Sequence, residues 1–223
     1  MAAPKVLVGC ECSGRVREAL RRRGIDAWSC DTQHAEDGSA YHIRDDLLAH
    51  LDDGWDGAIM HPECTRLTNA GVRWLKVPPR GRTLDEMWEE LEGACRFYLA
   101  CRDAPIPKKV IENPIMHRYA RIRIKPGPRQ IVQPHYFGDP FLKATGFELI
   151  DVPPLVRTHW MEPPVSTKEP ERYRQWAQCH HARPTKDPAD RARERSRTYP
   201  GIAEALADAM VRALNLDALE KAA

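Results

Sequence analysis

The sequence predicts an α/β protein built on a mostly parallel, doubly wound sheet. Three features support this class. Short apolar runs alternate with amphipathic segments, a glycine-bearing turn joins the first strand to the first helix, and acidic or reactive side chains directly follow several strands. With 223 residues, the chain is long enough for one compact domain with a small appendage.

The chain opens with a strand–helix–strand unit. Val6-Leu7-Val8 predicts a buried strand, Arg15 to Arg23 a helix, and Ala27-Trp28-Ser29-Cys30 a second strand that ends at Asp31. Asp31 lies 17 positions beyond Gly14. This is close to the spacing at which a carboxylate meets the ribose hydroxyls of a nucleotide.

The remaining elements follow in order. A capping box at Thr83-Leu84-Asp85-Glu86 marks the start of the clearest helix, in which apolar residues recur at helical spacing. Apolar runs bounded by polar residues or prolines predict the later strands. The predicted elements are a helix at 45–51, a strand at 57–60, a helix at 84–101, strands at 109–111, 130–132 and 147–149, and a helix at 201–214.

Charge is distributed unevenly along the chain. Residues 1–105 carry a net charge of −4 and residues 106–200 a net charge of +8, within an overall charge of +2. We expect a catalytic and cofactor-binding domain at 1–152, a small, proline-rich, basic recognition region at 153–195, and a C-terminal helix at 196–223 that returns to the catalytic domain. The basic second half favours a polyanionic partner.

Composition narrows the class of protein. No apolar run approaches the length of a membrane span, and the first residues lack the pattern of a signal peptide. Seven cysteines at irregular spacings do not form a disulfide framework. We therefore expect a cytoplasmic protein with reduced thiols, monomeric and without membrane contact.

Cysteine and histidine also suggest a metal site as an alternative. Cys10-x-Cys12, Cys179-His180-His181 and the pair His61 and Cys64 supply the ligand types of zinc. The paired two-residue spacings of zinc ribbons and fingers do not recur, so the sequence predicts no metal.

Reactive side chains follow four of the predicted strands. Glu11 and Ser13 follow the first strand, Asp31 the second, Cys64 the third and Glu112 the fourth. Ligands of doubly wound sheets bind outside the carboxyl ends of the strands. The coincidence predicts one active site at this edge of the sheet.

The turn Gly9-Cys10-Glu11-Cys12-Ser13-Gly14 differs from the dinucleotide-binding fingerprint. It lacks a third glycine at the usual spacing, and the charge of Glu11 would repel a pyrophosphate. An acidic turn suits a ligand with a cationic end and an adenosine, such as S-adenosylmethionine. The alternative is an ordinary strand-to-helix turn.

Cys64 and Glu112 form a candidate pair for covalent catalysis. A thiolate can attack a ring carbon while a carboxylic acid protonates or hydrogen-bonds a ring nitrogen. The alternatives are a cysteine that only fills the core and a glutamate that caps a helix or forms a surface ion pair.

These motifs, in this order, resemble those of DNA cytosine-5 methyltransferases, particularly the small phage and prophage members. The similarity covers most of the chain. It comprises Val6 to Gly14, Asp31, Asp46 within Arg44-Asp45-Asp46-Leu47, His61-Pro62-Glu63-Cys64-Thr65, Ile111-Glu112-Asn113-Pro114, and Arg195-Ser196-Arg197-Thr198-Tyr199-Pro200-Gly201-Ile202-Ala203.

The resemblance implies a Rossmann-like, S-adenosylmethionine-dependent methyltransferase sheet acting on a cytosine flipped out of duplex DNA. Catalysis would depend on Cys64, Glu112 and Asn113. The cofactor would be held by Gly9, Cys10, Glu11, Ser13, Gly14, Asp31, Asp46 and Pro62, and DNA by Thr65, Arg191, Arg195 and Arg197.

The chain departs from the family at two informative places. Glu63 stands where the family has a second proline, and its charge is expected to raise the pKa of the Cys64 thiol. Fewer than 60 residues separate Phe137 from Ser196, so only a short DNA sequence would be recognised. Two alternatives stay open: the same chemistry on RNA or a free pyrimidine nucleotide, and a catalytically inactive nucleic-acid-binding protein.

Overall fold

A computed structural model describes residues 2–112, 114–177 and 196–215, which form one mixed sheet with helices on both faces. The strands are β1 Lys5–Gly9, β2 Asp26–Asp31, β3 His42–Arg44, β4 Gly57–Met60, β5 Lys108–Glu112, β6 Arg129–Val132 and β7 Thr145–Ile150. The helices described are α1 Arg15–Arg21, α2 Asn69–Val72, α3 Leu84–Asp103, α4 Arg118–Ile124, α5 Pro170–Trp176 and α6 Pro200–Ala213. Within these ranges, each helix is too short or too polar to cross a membrane.

The sheet has the order β3-β2-β1-β4-β5-β7-β6. Strands β1 to β5 pair in parallel, whereas β7 runs antiparallel to both β5 and β6. The direction of winding reverses between β1 and β4, and such a reversal opens a crevice at the carboxyl ends of the two strands. The sheet therefore positions a ligand site beyond Gly9 and Met60.

Successive side chains of the buried strands point to opposite faces of the sheet, so the core consists of two layers. Val6 and Val8 face one layer with α1 and α6, whereas Leu7 faces the other layer with α3 and α4. All three side chains are fully buried. Burial on both faces explains why the parallel strands are continuous apolar runs rather than alternating ones.

The structure confirms the α/β class and each strand that the sequence predicts. The segment predicted as a helix at 45–51 is instead a single 3₁₀ turn, Leu47–His50, whose first residues are capped by the Asp46 side chain. The sequence analysis missed β3, α2, α4 and α5, which have only three to seven residues each. Such short segments carry little periodic signal.

Helix α6 is fixed against the rest of the fold at both its start and its side. The Gly201 amide donates a hydrogen bond to Asp139 Oδ2 at 2.8 Å. A Cβ atom on Gly201 would lie 2.2 Å from the Phe137 carbonyl oxygen, so only glycine fits this close approach. Arg23 of α1 pairs with Glu204 and Asp208 of α6, both at 2.7 Å.

We expect Gly201→Ala to lower the free energy of unfolding by about 1–3 kcal/mol, because the added methyl group has to displace backbone. The change is measured by urea denaturation. Gly93→Ala in α3 is the matched control, since its Cβ would meet only Arg96 Nη2, at 4.0 Å. The control should gain roughly 0.5–1 kcal/mol from helix propensity. Equal effects of the two substitutions would contradict the steric argument.

Candidate active site

A cavity of about 810 Å³ opens at the carboxyl ends of β1, β2 and β4. Its volume is that of a typical small-molecule site. Six segments of the chain supply the walls. These are the turn after β1 (Cys10, Glu11, Cys12 and Ser13), the ends of β2 and β3 (Cys30, Asp31, Thr32, Gln33, Asp45, Asp46 and Leu47), the loop after β4 (His61, Glu63, Thr65 and Arg66), and two later segments (Glu90, Gly93, Ala94, Phe97 and Ser196, Arg197, Thr198).

Glu11 stabilises the turn after β1 as well as lining the cavity. Its carboxylate accepts hydrogen bonds from the Val16 amide at 2.8 Å, the Arg17 amide at 3.4 Å and the Ser13 hydroxyl at 3.0 Å. The carboxylate thus caps the start of α1, where partial positive charge accumulates. The sequence analysis predicted a cofactor contact for Glu11, and the structure adds this capping role.

Asp31 and Asp46 each keep one carboxylate oxygen available. Asp31 Oδ1 accepts from the Gln33 amide at 2.9 Å, and Asp46 Oδ1 accepts from the Leu48 amide at 3.0 Å. Within the described ranges, no donor meets Oδ2 of either side chain. Both residues line the cavity. They are therefore placed to accept hydrogen bonds from ligand hydroxyl or amino groups.

Acidic side chains dominate the cavity walls. Six carboxylates line it, and two of them are paired: Glu90 with Arg66 at 2.5 Å, and Asp45 with His50 at 3.2 Å. Uncompensated negative charge in a concave site attracts a cation. The full set is Glu11, Asp31, Asp45, Asp46, Glu63 and Glu90.

Helix α3 contributes a wall that the sequence analysis missed. Gly93, Ala94 and Phe97 line the cavity, while Met87 and Leu91 face the core. Two small residues in the middle of a strong helix were the available signal. Gly93 and Ala94 leave space for the cavity beside α3, and Phe97 adds an aromatic ring to the cavity wall.

Several residues predicted to bind the cofactor do not line the cavity. Gly9 lies beneath Leu47, where a Cβ atom would be 2.6 Å from Leu47 Cδ2. Gly14 has a φ of 73° and begins α1, and a Cβ there would lie 2.4 Å from Arg17 Nη2. Pro62 is buried in the loop after β4. These three residues shape the loops around the site.

Cys64 lies in the loop after β4 and is half-buried. Burial raises the pKa of its thiol, and the negative charges of Glu112 and Glu63 raise it further, against a lowering effect of Lys143. The predicted influence of Glu63 therefore has the expected direction but is smaller than that of burial. At neutral pH the thiol of the free protein is protonated.

Glu112 ends β5 and contacts a histidine that directly follows the neighbouring strand β4. His61 Nδ1 and Glu112 Oε2 are 3.0 Å apart. Burial raises the pKa of Glu112, but the hydrogen bond and charge of His61, together with the charge of Lys143, outweigh it and leave the pKa below its ordinary value. The free protein thus holds Glu112 as a carboxylate at neutral pH.

A second, much smaller pocket lies beside Glu112. Lys143, Thr145 and the segment Ser196 to Tyr199 line it, and Ser196, Arg197 and Thr198 also line the large cavity. The 196–198 segment is therefore a shared wall. Sequence reasoning missed Lys143, which the antiparallel return of β7 brings next to Glu112.

Two of the four residues predicted to contact DNA are described, and both line the large cavity. Thr65 lines the large cavity. Arg197 also lines it, and its Nη2 pairs with Glu36 Oε2 at 2.8 Å, so its charge is already compensated within the protein. Asn113, Arg191 and Arg195 lie outside the described residues, as does Cys179-His180-His181. Among the residues that are described, no group of three His, Cys, Asp or Glu side chains could hold a metal ion.

No protein-family model matches the chain, and no curated protein matches it. The site itself therefore carries the functional assignment, together with the order of motifs in the sequence.

We expect two substitutions to shift the pH dependence of Cys64 alkylation in opposite directions. Lys143→Met removes a cation that lowers the pKa of the thiol, so alkylation at about pH 8 should slow. Glu112→Gln removes a negative charge that raises this pKa, so alkylation should accelerate. The rate is followed with iodoacetamide by mass spectrometry of the Cys64 peptide.

Lys168→Met provides the control for that experiment, because Lys168 is exposed and lines neither pocket. Its alkylation profile should match that of the wild type. Shifts of the same sign for Lys143→Met and Glu112→Gln would contradict the electrostatic description of the site.

Proposed function

We propose that the protein is an S-adenosylmethionine-dependent methyltransferase that modifies carbon 5 of cytosine in DNA through a covalent Cys64 intermediate. The observation that carries the proposal is one contact, between His61 and Glu112. His61 lines a cofactor-sized acidic cavity and is hydrogen-bonded to Glu112, whose charge in turn acts on Cys64. A cofactor site and a base-attacking site therefore meet at one edge of the sheet.

The cavity residues fit the proposed cofactor. S-adenosylmethionine supplies, when bound, an electrophilic methyl group on a positively charged sulfur. The cavity carboxylates suit that charge, Asp31 can accept from ribose hydroxyls and Asp46 from the adenine amino group. Phe97 offers an apolar ring to a nucleobase. The sheet, with β7 inserted antiparallel between β5 and β6, also fits the methyltransferase sheet that the sequence resemblance implies.

The proposed reaction assigns one task to each side chain beside the base. The Cys64 thiolate forms a bond to carbon 6, and Glu112 gives a proton to ring nitrogen 3 or hydrogen-bonds it, so that carbon 5 becomes nucleophilic. After carbon 5 has taken up the methyl group, a base removes its proton and the bond to Cys64 breaks. Lys143 stabilises the thiolate that starts and ends this cycle.

The loop that follows Cys64 is paired with the loop that follows Glu112. Thr68, after Cys64, forms a β-bridge with Met116, after Glu112, and the His117 amide donates to the Leu67 carbonyl at 2.9 Å. Exposed cations lie on both loops: Arg73, Lys76 and Arg80 on the first, and Arg118 and Arg121 on α4 after the second. Exposed cations on both segments favour a phosphate polymer over a single nucleotide.

The cofactor site is tested by calorimetric binding of S-adenosylmethionine. We expect Asp46→Ala to weaken binding by roughly 10- to 100-fold, because a hydrogen bond to a charged group is lost. Asp52→Ala is the control, since Asp52 is exposed and does not line the cavity. Wild-type protein that binds no S-adenosylmethionine would overturn the cofactor assignment.

The reaction is tested by transfer of a labelled methyl group to duplex DNA, RNA and dCMP. We expect label in DNA as 5-methylcytosine, and Cys64→Ala should lower the rate by more than about 10³-fold, because the nucleophile is gone. Cys95→Ala is the matched control, because Cys95 is buried in the core on α3 and should leave the transfer rate near that of the wild type.

The substrates separate the alternatives. Label mainly in RNA or dCMP would replace the DNA assignment with the same chemistry on another substrate. Protein that binds both S-adenosylmethionine and DNA but transfers no label, and is not trapped on DNA containing 5-fluorocytosine, would be a binding protein rather than an enzyme.

A further inference from the structure

His61 is held firmly at the junction of the two sites. Its amide donates to the Gly9 carbonyl at 3.0 Å, which extends the contact between β1 and β4 by one residue. Its side chain is only 9% exposed, and its Nδ1 lies 3.0 Å from Glu112 Oε2. The backbone and the ring are thus both fixed, and the ring belongs to the cavity wall and to the Glu112 contact at once.

The two ring nitrogens of His61 differ in their hydrogen bonding. Glu112 is a carboxylate and can only accept, so Nδ1 is the donor of the shared hydrogen bond. Nε2 is buried and has no hydrogen-bond partner among the described residues. Unpaired buried nitrogens are uncommon in folded proteins, and this one belongs to a ring that lines the large cavity.

We propose that His61 is the positioning residue of Glu112: its Nδ1–H fixes one carboxyl oxygen and directs the other towards the target base. The inference rests on the proposed function and assigns to that reaction a residue outside the Cys64 and Glu112 pair. In the sequence, His61 stands out as a possible metal ligand and as the first residue of the segment His61-Pro62-Glu63-Cys64-Thr65.

The proton balance of the step follows from this geometry. The Cys64 S–H bond breaks first, and its proton passes to the free oxygen of Glu112, which is a carboxylate in the free protein. As the thiolate sulfur bonds to carbon 6, this O–H bond of Glu112 breaks and an N–H bond forms at ring nitrogen 3. The negative charge left on the carboxylate is met by the Nδ1–H of His61. When the bond to Cys64 breaks, ring nitrogen 3 returns the proton to the same oxygen. His61 keeps its own proton throughout and stabilises the charged form.

Several other charged or titratable groups lie near His61 and Glu112. Lys143, before β7, and Cys64, after β4, act on Glu112 or are acted on by it. Arg197 lines the small pocket with Glu112 and is paired with Glu36. On the cavity side, the carboxylates of Glu11 and Glu63 line the same wall as the His61 ring. Substitutions at His61 alone therefore leave these charges in place.

Two substitutions separate positioning from packing. The amide nitrogen of His61→Asn lies near the position of Nδ1 and can still donate to Glu112, whereas His61→Leu fills similar space without a donor. The Glu112 carboxyl is titrated by carbon-13 NMR, with Glu112→Gln to assign its signal. The rate of covalent trapping on DNA containing 5-fluorocytosine is measured across pH in the same preparations.

We expect His61→Leu to raise the pKa of Glu112, move the pH profile of trapping upwards and slow trapping by about 10²-fold. His61→Asn should restore the titration and most of the rate. Wild-type titration and pH profile in His61→Leu would overturn the proposal. If His61→Leu does not fold, His61→Gln replaces it, because its amide reaches the position of Nε2 rather than Nδ1.

Failure of the proposed function has a different signature. Wild-type protein that is never trapped and transfers no methyl group overturns the function and this role together, whatever the titration shows. Wild-type protein that is trapped, with a pH profile unaffected by His61→Leu, overturns only the role of His61.

Discussion

The parallel pairing of β1 with β4, and of β4 with β5, is the constraint on which the site depends. Parallel strands end at the same edge, so Gly9, Met60 and Glu112 deliver three different loops to one place. If β4 ran antiparallel to its two neighbours, the loop after it would lie at the opposite edge of the sheet from the other two loops. The direction of the strands therefore brings the cavity, the Cys64 thiol and the Glu112 carboxylate to the same edge of the sheet, whatever their side-chain chemistry.

Burial at this edge of the sheet shifts the pKa of both catalytic candidates in the same direction. Burial raises the pKa of both Cys64 and Glu112. Only Glu112 has a close donor, His61, that reverses the effect. The resting site therefore combines a neutral thiol with an ionised carboxylate. In the proposed reaction, bound ligands would have to change that balance, since a cationic cofactor beside the pocket would favour the thiolate and a base against Glu112 would favour the acid.

Much of this arrangement could be predicted from local sequence. The strand–turn–helix unit, Asp31, Cys64 and Glu112 all follow from apolar runs that stop at polar residues, because strand ends coincide with ligand sites. Lys143 could not be predicted, because it reaches Glu112 through an antiparallel strand whose place in the sheet is a long-range property. The pairing of Arg197 with Glu36 is equally non-local, so a side chain expected to contact DNA is neutralised by a distant carboxylate.

The bridge between Thr68 and Met116 makes the thiol loop and the carboxylate loop a single body. Their conformational entropy is lost when the chain folds, not when a substrate arrives. In the proposed reaction the protein would then be preorganised, and the nucleic acid would make the large displacement, at a cost of roughly a few kcal/mol for each base extruded. A cytosine that is mispaired, or opposite a missing base, opens more easily and would be the faster substrate. The pairing of two short loops would thus favour some DNA duplexes over others without any contact to their sequence.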